Sequence, residues 1–97
     1  MAQQNPPDIA LVLIVDDDAQ VLELIADVVQ TLGCHVLTAR SGPDAIDLLR
    51  KNSQISVLFT DIRMRGMGGE KLAEIAVALR PDIRVDTYGD VSGFNHR

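Results

Sequence analysis

The sequence predicts an α/β chain built on a doubly wound parallel sheet. Two observations lead there. Short apolar runs rich in β-branched residues (LVLIV, HVLTA, ISVLFT) alternate with amphipathic stretches of helical period. Strands that alternate with helices pair in parallel through right-handed crossovers, which puts helices on both faces of one sheet.

Leu11–Val15 is a continuous apolar run with no polar alternation, as in a parallel strand covered on both sides. Next, Val21, Leu22, Ile25, Val28, Val29 and Leu32 recur at three- and four-residue steps, with Glu23, Asp27 and Gln30 on the other face. This predicts a helix over residues 18–32, with Asp18 as N-cap and Gly33 as its C-terminal stop. His35–Ala39 is the second strand. Ser41-Gly42-Pro43-Asp44 resembles a capping box with an early proline, and it opens a helix carrying Ala45, Ile46, Leu48 and Leu49. Residues 51–54 are a polar loop. The third strand spans 55–60 and ends on Asp61. The Gly-rich stretch 63–69 (RMRGMGG) is a loop, and residues 70–80 form a third helix with Leu72, Ile75, Ala76 and Leu79 on one face. Pro81-Asp82 breaks it, and residues 83–85 (IRV) begin a fourth strand.

The 97 residues suit one domain. Residues 1–8, with Pro6-Pro7, read as a flexible lead-in. A net charge of −5 argues against nucleic acid or an anionic membrane as a direct partner. Cys34 is the single cysteine, so an intrachain disulfide and a Cys-based zinc site are excluded and a reducing, cytoplasmic setting is expected. The N-terminal residues lack the basic and apolar regions of a signal peptide, and no apolar run is long enough to span a bilayer.

Sites in an open parallel α/β sheet form beyond the C-terminal strand ends. Asp16, Asp17 and Asp18 follow the first strand and Asp61 the third. One of the three consecutive aspartates is needed as a helix cap, and Asp18 is placed for it. Asp16, Asp17 and Asp61 remain, and bare carboxylates brought together raise one another's pKa. A hard divalent cation resolves that conflict, and Mg²⁺ takes one or two carboxylates plus water. Cys34, His35, His96, Met64 and Met67 read as packing or isolated residues, with no metal-like spacing among them.

VLIVDDD, LFTDIRM, the loop GMGG and the spacing between them resemble the receiver domain of two-component response regulators, over residues 8–85. The resemblance implies a flavodoxin-like fold. It makes Asp61 the acceptor of a phosphoryl group from a histidine kinase or phosphotransfer domain. It also makes Asp16 and Asp17 the acidic pair holding Mg²⁺, with Asp17 the direct ligand, and has Arg63 offer its backbone carbonyl to the metal. The helix over 18–32 would help dock the kinase's phosphohistidine domain. The chemistry agrees: a carboxylate nucleophile can form an acyl phosphate given positioning and charge neutralisation.

The chain also departs from that family. Arg65 stands where proline is usual, which frees φ and restores an N–H. After residue 85 the sequence reads DTYGDVSGFNHR, with Asp86 interrupting the apolar strand. The expected architecture is therefore incomplete, about four strands and three helices, with the final βα units missing. The receiver-like domain is placed at 9–85 and a divergent tail at 86–97. No lysine follows Lys71, so the family's phosphoryl-contacting lysine is absent. The family's switch Ser/Thr falls on Gly89 in an ungapped alignment, with Ser92 and, more weakly, Thr87 as candidates. A missing fifth strand exposes a sheet edge, which invites a homodimer. Two other functions compete. One is a degenerate or truncated receiver that binds partners without phosphorylation. The other is a Mg²⁺-dependent aspartyl phosphohydrolase, disfavoured because Arg63 occupies the position of its general acid and because the chain is short. The expected function is not that of an enzyme, beyond self-catalysed transfer and slow autodephosphorylation.

Overall fold

The computed structural model of the chain describes residues 9–89. The elements run β1 (Leu11–Val15), α1 (Ala19–Thr31), β2 (His35–Ala39), α2 (Gly42–Lys51), β3 (Ile55–Asp61), α3 (Gly69–Leu79) and β4 (Arg84–Tyr88). All strands pair in parallel, in the order β2-β1-β3-β4. The expected lead-in over residues 1–8 lies outside the described residues, as do Ser92 and the tail from residue 90 onward.

The two inner strands carry the most apolar sequence because both their faces are covered. On one face Leu13, Val15, Leu58 and Ile55 pack with Ala45 and Leu49 of α2 and Leu72 and Ala76 of α3. On the other, Val12 and Ile14 pack with Leu22 of α1, and Val57 and Phe59 lie against them. Helices thus cover both faces, as the alternating pattern requires.

The helix ends obey local chemistry. Asp18 caps α1, its Oδ1 accepting from the amides of Gln20 (2.9 Å) and Val21 (3.2 Å). Gly33 follows the helix at φ 96°, a left-handed conformation that favours glycine. Ser41 Oγ accepts from the Asp44 amide at 3.2 Å, and Pro43 sits in the first turn of α2.

β4 differs from the sequence expectation. It starts at Arg84 and continues through Asp86 to Tyr88, past the point where a charge was expected to interrupt it. The reason is its edge position. An edge strand with one exposed side accepts polar residues, and Asp86 points out to pair with Arg84 at 3.2 Å. Exposed Arg84, Asp86 and Thr87 give this edge the polar character that resists strand addition.

At the N-terminal end of the sheet, Arg80 closes α3 and reaches back to the loop before β3. Its guanidinium donates to the carbonyls of Leu49 (3.4 Å), Asn52 (3.1 Å), Ser53 (2.7 Å) and Ile55. A planar fork with five N–H groups can serve several carbonyls at once. Among the described residues no helix is long and apolar enough to cross a membrane. Arg80→Ala is expected to destabilise the fold by about 2 kcal/mol, the scale for losing charge-assisted bonds to part-buried carbonyls. Urea denaturation followed by circular dichroism measures it, and an unchanged midpoint would contradict the clamp.

Candidate functional site

The site is built by strand adjacency. β1 and β3 are neighbours in the middle of the sheet, with Val15 opposite Thr60. The next residue of each strand path, Asp16 and Asp61, therefore emerges side by side. Asp16, Asp17 and Asp61 each present a carboxylate oxygen, and these three atoms lie within 4.8 Å of one another.

Each aspartate of the DDD run is held differently. Asp16 is 2% exposed, and its Oδ1 accepts the Asp18 amide at 2.9 Å. Its Oδ2 accepts the Tyr88 hydroxyl at 2.8 Å. Asp17 is half-buried, with Oδ2 accepting the Arg65 amide at 3.0 Å. Its backbone carbonyl accepts from Arg40 at 3.3 Å. Asp18 faces away as the α1 cap.

Asp61 ends β3, and its Oδ1 accepts the Arg63 amide at 3.2 Å. Burial pushes its carboxyl above the usual 3.8, and the charges of Asp16 and Asp17 push the same way, against the lowering effect of the Arg63 amide. Burial also holds the Tyr88 phenol well above its usual range, reinforced by its bond to anionic Asp16, so it stays a donor.

Glycines allow the chain to close around Asp61. The loop after β3 folds back so that the Gly69 amide donates to the Ile62 carbonyl at 2.9 Å. A Cβ at Gly69 would overlap the Asp61 carbonyl. Gly89 leaves β4 at φ 97°, and a Cβ there would run into Asp61 Oδ1. Gly89 therefore leaves open the place beside the Asp61 carboxylate that a side chain would fill.

The structure thus gathers Asp16, Asp17 and Asp61, with the Arg63 amide beside them. Thr87 is exposed and lies opposite Thr60 in β4, while the hydroxyl that reaches the cluster is that of Tyr88. Both lysines are engaged elsewhere, Lys51 with Asp47 (3.0 Å) and Lys71 with Glu74 (3.2 Å), on helix surfaces. Sequence reasoning missed Tyr88 and Arg40. The available signal for Tyr88 is its position just before Gly89, which an ungapped reading sets at the switch position of the resembled family. The sequence shows that residue 65 has an amide that a proline would lack, but not that Asp17 accepts from it.

Residues 12–87 match the family described as the response regulator receiver domain. The chain is 36% identical over 67 residues to the sensor histidine kinase RcsC of Salmonella typhimurium, covering 69% of this chain and 7% of that protein. It is 36% identical over 75 residues to the two-component response regulator ARR10 of Arabidopsis thaliana, covering 76% of this chain and 13% of that one. The chain thus spans only a small part of these relatives. Among solved structures, a response regulator receiver domain protein from Clostridium thermocellum superposes with a TM-score of 0.80 at 26% identity, covering 88% of this chain and 71% of that one. TrrA from Thermotoga maritima, solved in complex with Mg²⁺-BeF, has a TM-score of 0.78 at 23% identity and shares the fold, covering 90% of this chain and 77% of that one.

Two outcomes follow from this geometry. With its pKa raised in the fold, Asp61 binds a proton more tightly folded than unfolded, so stability falls as pH rises from 3.8 through the raised value. At neutral pH the full cost is present. Asp61→Asn in divalent-free buffer is expected to raise the melting temperature at pH 7, with the gain disappearing below pH 3.8. Scanning calorimetry across pH tests this, and a destabilised Asn variant at pH 7 would refute it. Gly89→Ser is expected to cost about 1 kcal/mol or more, because the left-handed φ and the Asp61 carboxylate both oppose a Cβ. Chemical denaturation measures that loss.

Proposed function

Because the chain belongs to the response regulator receiver domain family, we propose that it accepts a phosphoryl group on Asp61 from a histidine kinase or phosphotransfer domain. The observation that carries this reading is the convergence of three carboxylate oxygens within 4.8 Å at the ends of two central strands. Three hard oxygen donors with mutual repulsion fit Mg²⁺, held by Asp16, Asp17 and Asp61 together with the Arg63 carbonyl. When bound, the cation neutralises the carboxylates and the phosphoryl oxygens.

The chain's own residues do the rest. The Arg63 amide fixes the plane of the Asp61 carboxylate through Oδ1. An Asp61 oxygen attacks phosphorus, the P–N bond of a phosphohistidine breaks, and its electron pair returns to the imidazole nitrogen. The product is an aspartyl phosphate, formed once per chain, so the protein is an acceptor and not a turnover enzyme. No lysine stands at the site, and positive charge near Asp17 comes from Arg40 and Arg65, which line the adjoining cleft with it. The partner is expected at α1, where Leu24 (64% exposed), Val28 and Leu32 (76% exposed) form an apolar stripe suited to a helical phosphotransfer surface. A cytoplasmic setting belongs to the same reading.

Gly89 and the distant lysines favour a second reading, a receiver-like module that binds partners without phosphorylation. One experiment separates the two. The chain is incubated with Mg²⁺ and a small acyl-phosphate donor, and its intact mass recorded. A gain of one phosphoryl group, absent in Asp61→Asn and without Mg²⁺, is the expected result. No gain in a folded sample would overturn phosphoacceptance and leave the binding module.

A further inference from the structure

We infer that Tyr88 is a positioning residue for the acidic site, its phenol holding Asp16 in the orientation that a divalent cation meets. The inference rests on the cation reading above and deepens it.

Tyr88 reaches Asp16 across the sheet. It ends β4 in register with Asp61, while Asp16 follows β1, on the far side of β3. The tyrosine ring lies against Phe59 of β3, with centroids 4.7 Å apart and planes inclined by 35°. That contact carries the hydroxyl over β3 to within 2.8 Å of Asp16 Oδ2 and 3.4 Å of the Val15 carbonyl. A phenol has one proton to donate, and the shorter, charged acceptor takes it.

The effect on Asp16 is specific. The Asp18 amide holds Oδ1 and Tyr88 holds Oδ2, so the carboxylate cannot rotate without breaking a bond. Asp16 is 2% exposed, and water cannot readily replace a lost donor. The ring's packing on Phe59 would survive as phenylalanine, whereas the hydroxyl serves the acidic site. Hydrogen-bond partners of this kind orient ligands and govern metal affinity. Through this bond the state of the acidic site is also connected to the edge strand β4.

The test uses the full chain and Mg²⁺ as the probe. Tyr88→Phe keeps the ring and removes the donor, and titration calorimetry is expected to show about ten-fold weaker Mg²⁺ binding. A second readout follows the Tyr88 side chain directly. Tyr88 is the chain's single tyrosine and there is no tryptophan, so ultraviolet emission reports this side chain alone. Saturating Mg²⁺ is expected to change that emission in the wild-type chain, and Asp16→Asn to abolish the response. If the wild-type chain binds Mg²⁺ but Tyr88→Phe binds equally well, or emission does not respond, the Tyr88 inference falls and the cation reading stands. If the wild-type chain binds no Mg²⁺, both fall.

Discussion

Repulsion among Asp16, Asp17 and Asp61 is the constraint around which this molecule is arranged. Parallel pairing of β1 with β3 brings it about, because both strands point the same way, β3 ending on Asp61 and β1 leading directly into Asp16. The surrounding chain meets the negative charge with donors. Amides of Asp18, Arg63 and Arg65 and the Tyr88 hydroxyl each reach one of the carboxylates. The raised pKa of Asp61 comes first from burial and then from the Asp16 and Asp17 charges, which the Arg63 amide only partly offsets. A carboxylate cluster of this kind is one that a hard divalent cation can balance.

Arg65 and Gly89, two positions where the sequence is read as leaving the resembled pattern, lie on this same site. At Arg65 the departure supplies a backbone donor that proline lacks, and the donor is used on Asp17. At Gly89 no side chain stands beside Asp61, and the neighbouring Tyr88 gives its hydroxyl to Asp16. The acidic cluster is therefore held by a different set of partners while its three carboxylates stay together. These substitutions are better understood jointly than one at a time, since their contacts converge within a few ångströms and such contacts are not additive.

The rest of the fold supports that arrangement from a distance. Arg80 ties α3 to the loop before β3 at the opposite end of the sheet and so fixes how β3 enters it. The charged pair on β4 makes a short edge strand compatible with water. α1 buries Leu22 against the sheet while Leu24, Val28 and its C-cap residue Leu32 face outward.

The sequence by itself determined the order of elements, because periodicity, caps and glycines act over a few residues. Leu11–Val15 and His35–Ala39 are read directly from their apolar runs, and Asp18, Gly33 and Ser41 mark helix ends by their own local chemistry. It also singled out Asp16, Asp17 and Asp61, since three charges at the ends of buried strands are costly without a purpose. The extent of β4 was not legible, because a rule for strands covered on both faces was applied to one that lies at an edge. Nor were the partners of the carboxylates. Tyr88 and Asp16 are 72 residues apart, and Arg65 and Asp17 are 48 apart. Only strand order, register and the return of the loop after β3 bring them together, and no local pattern encodes those distances.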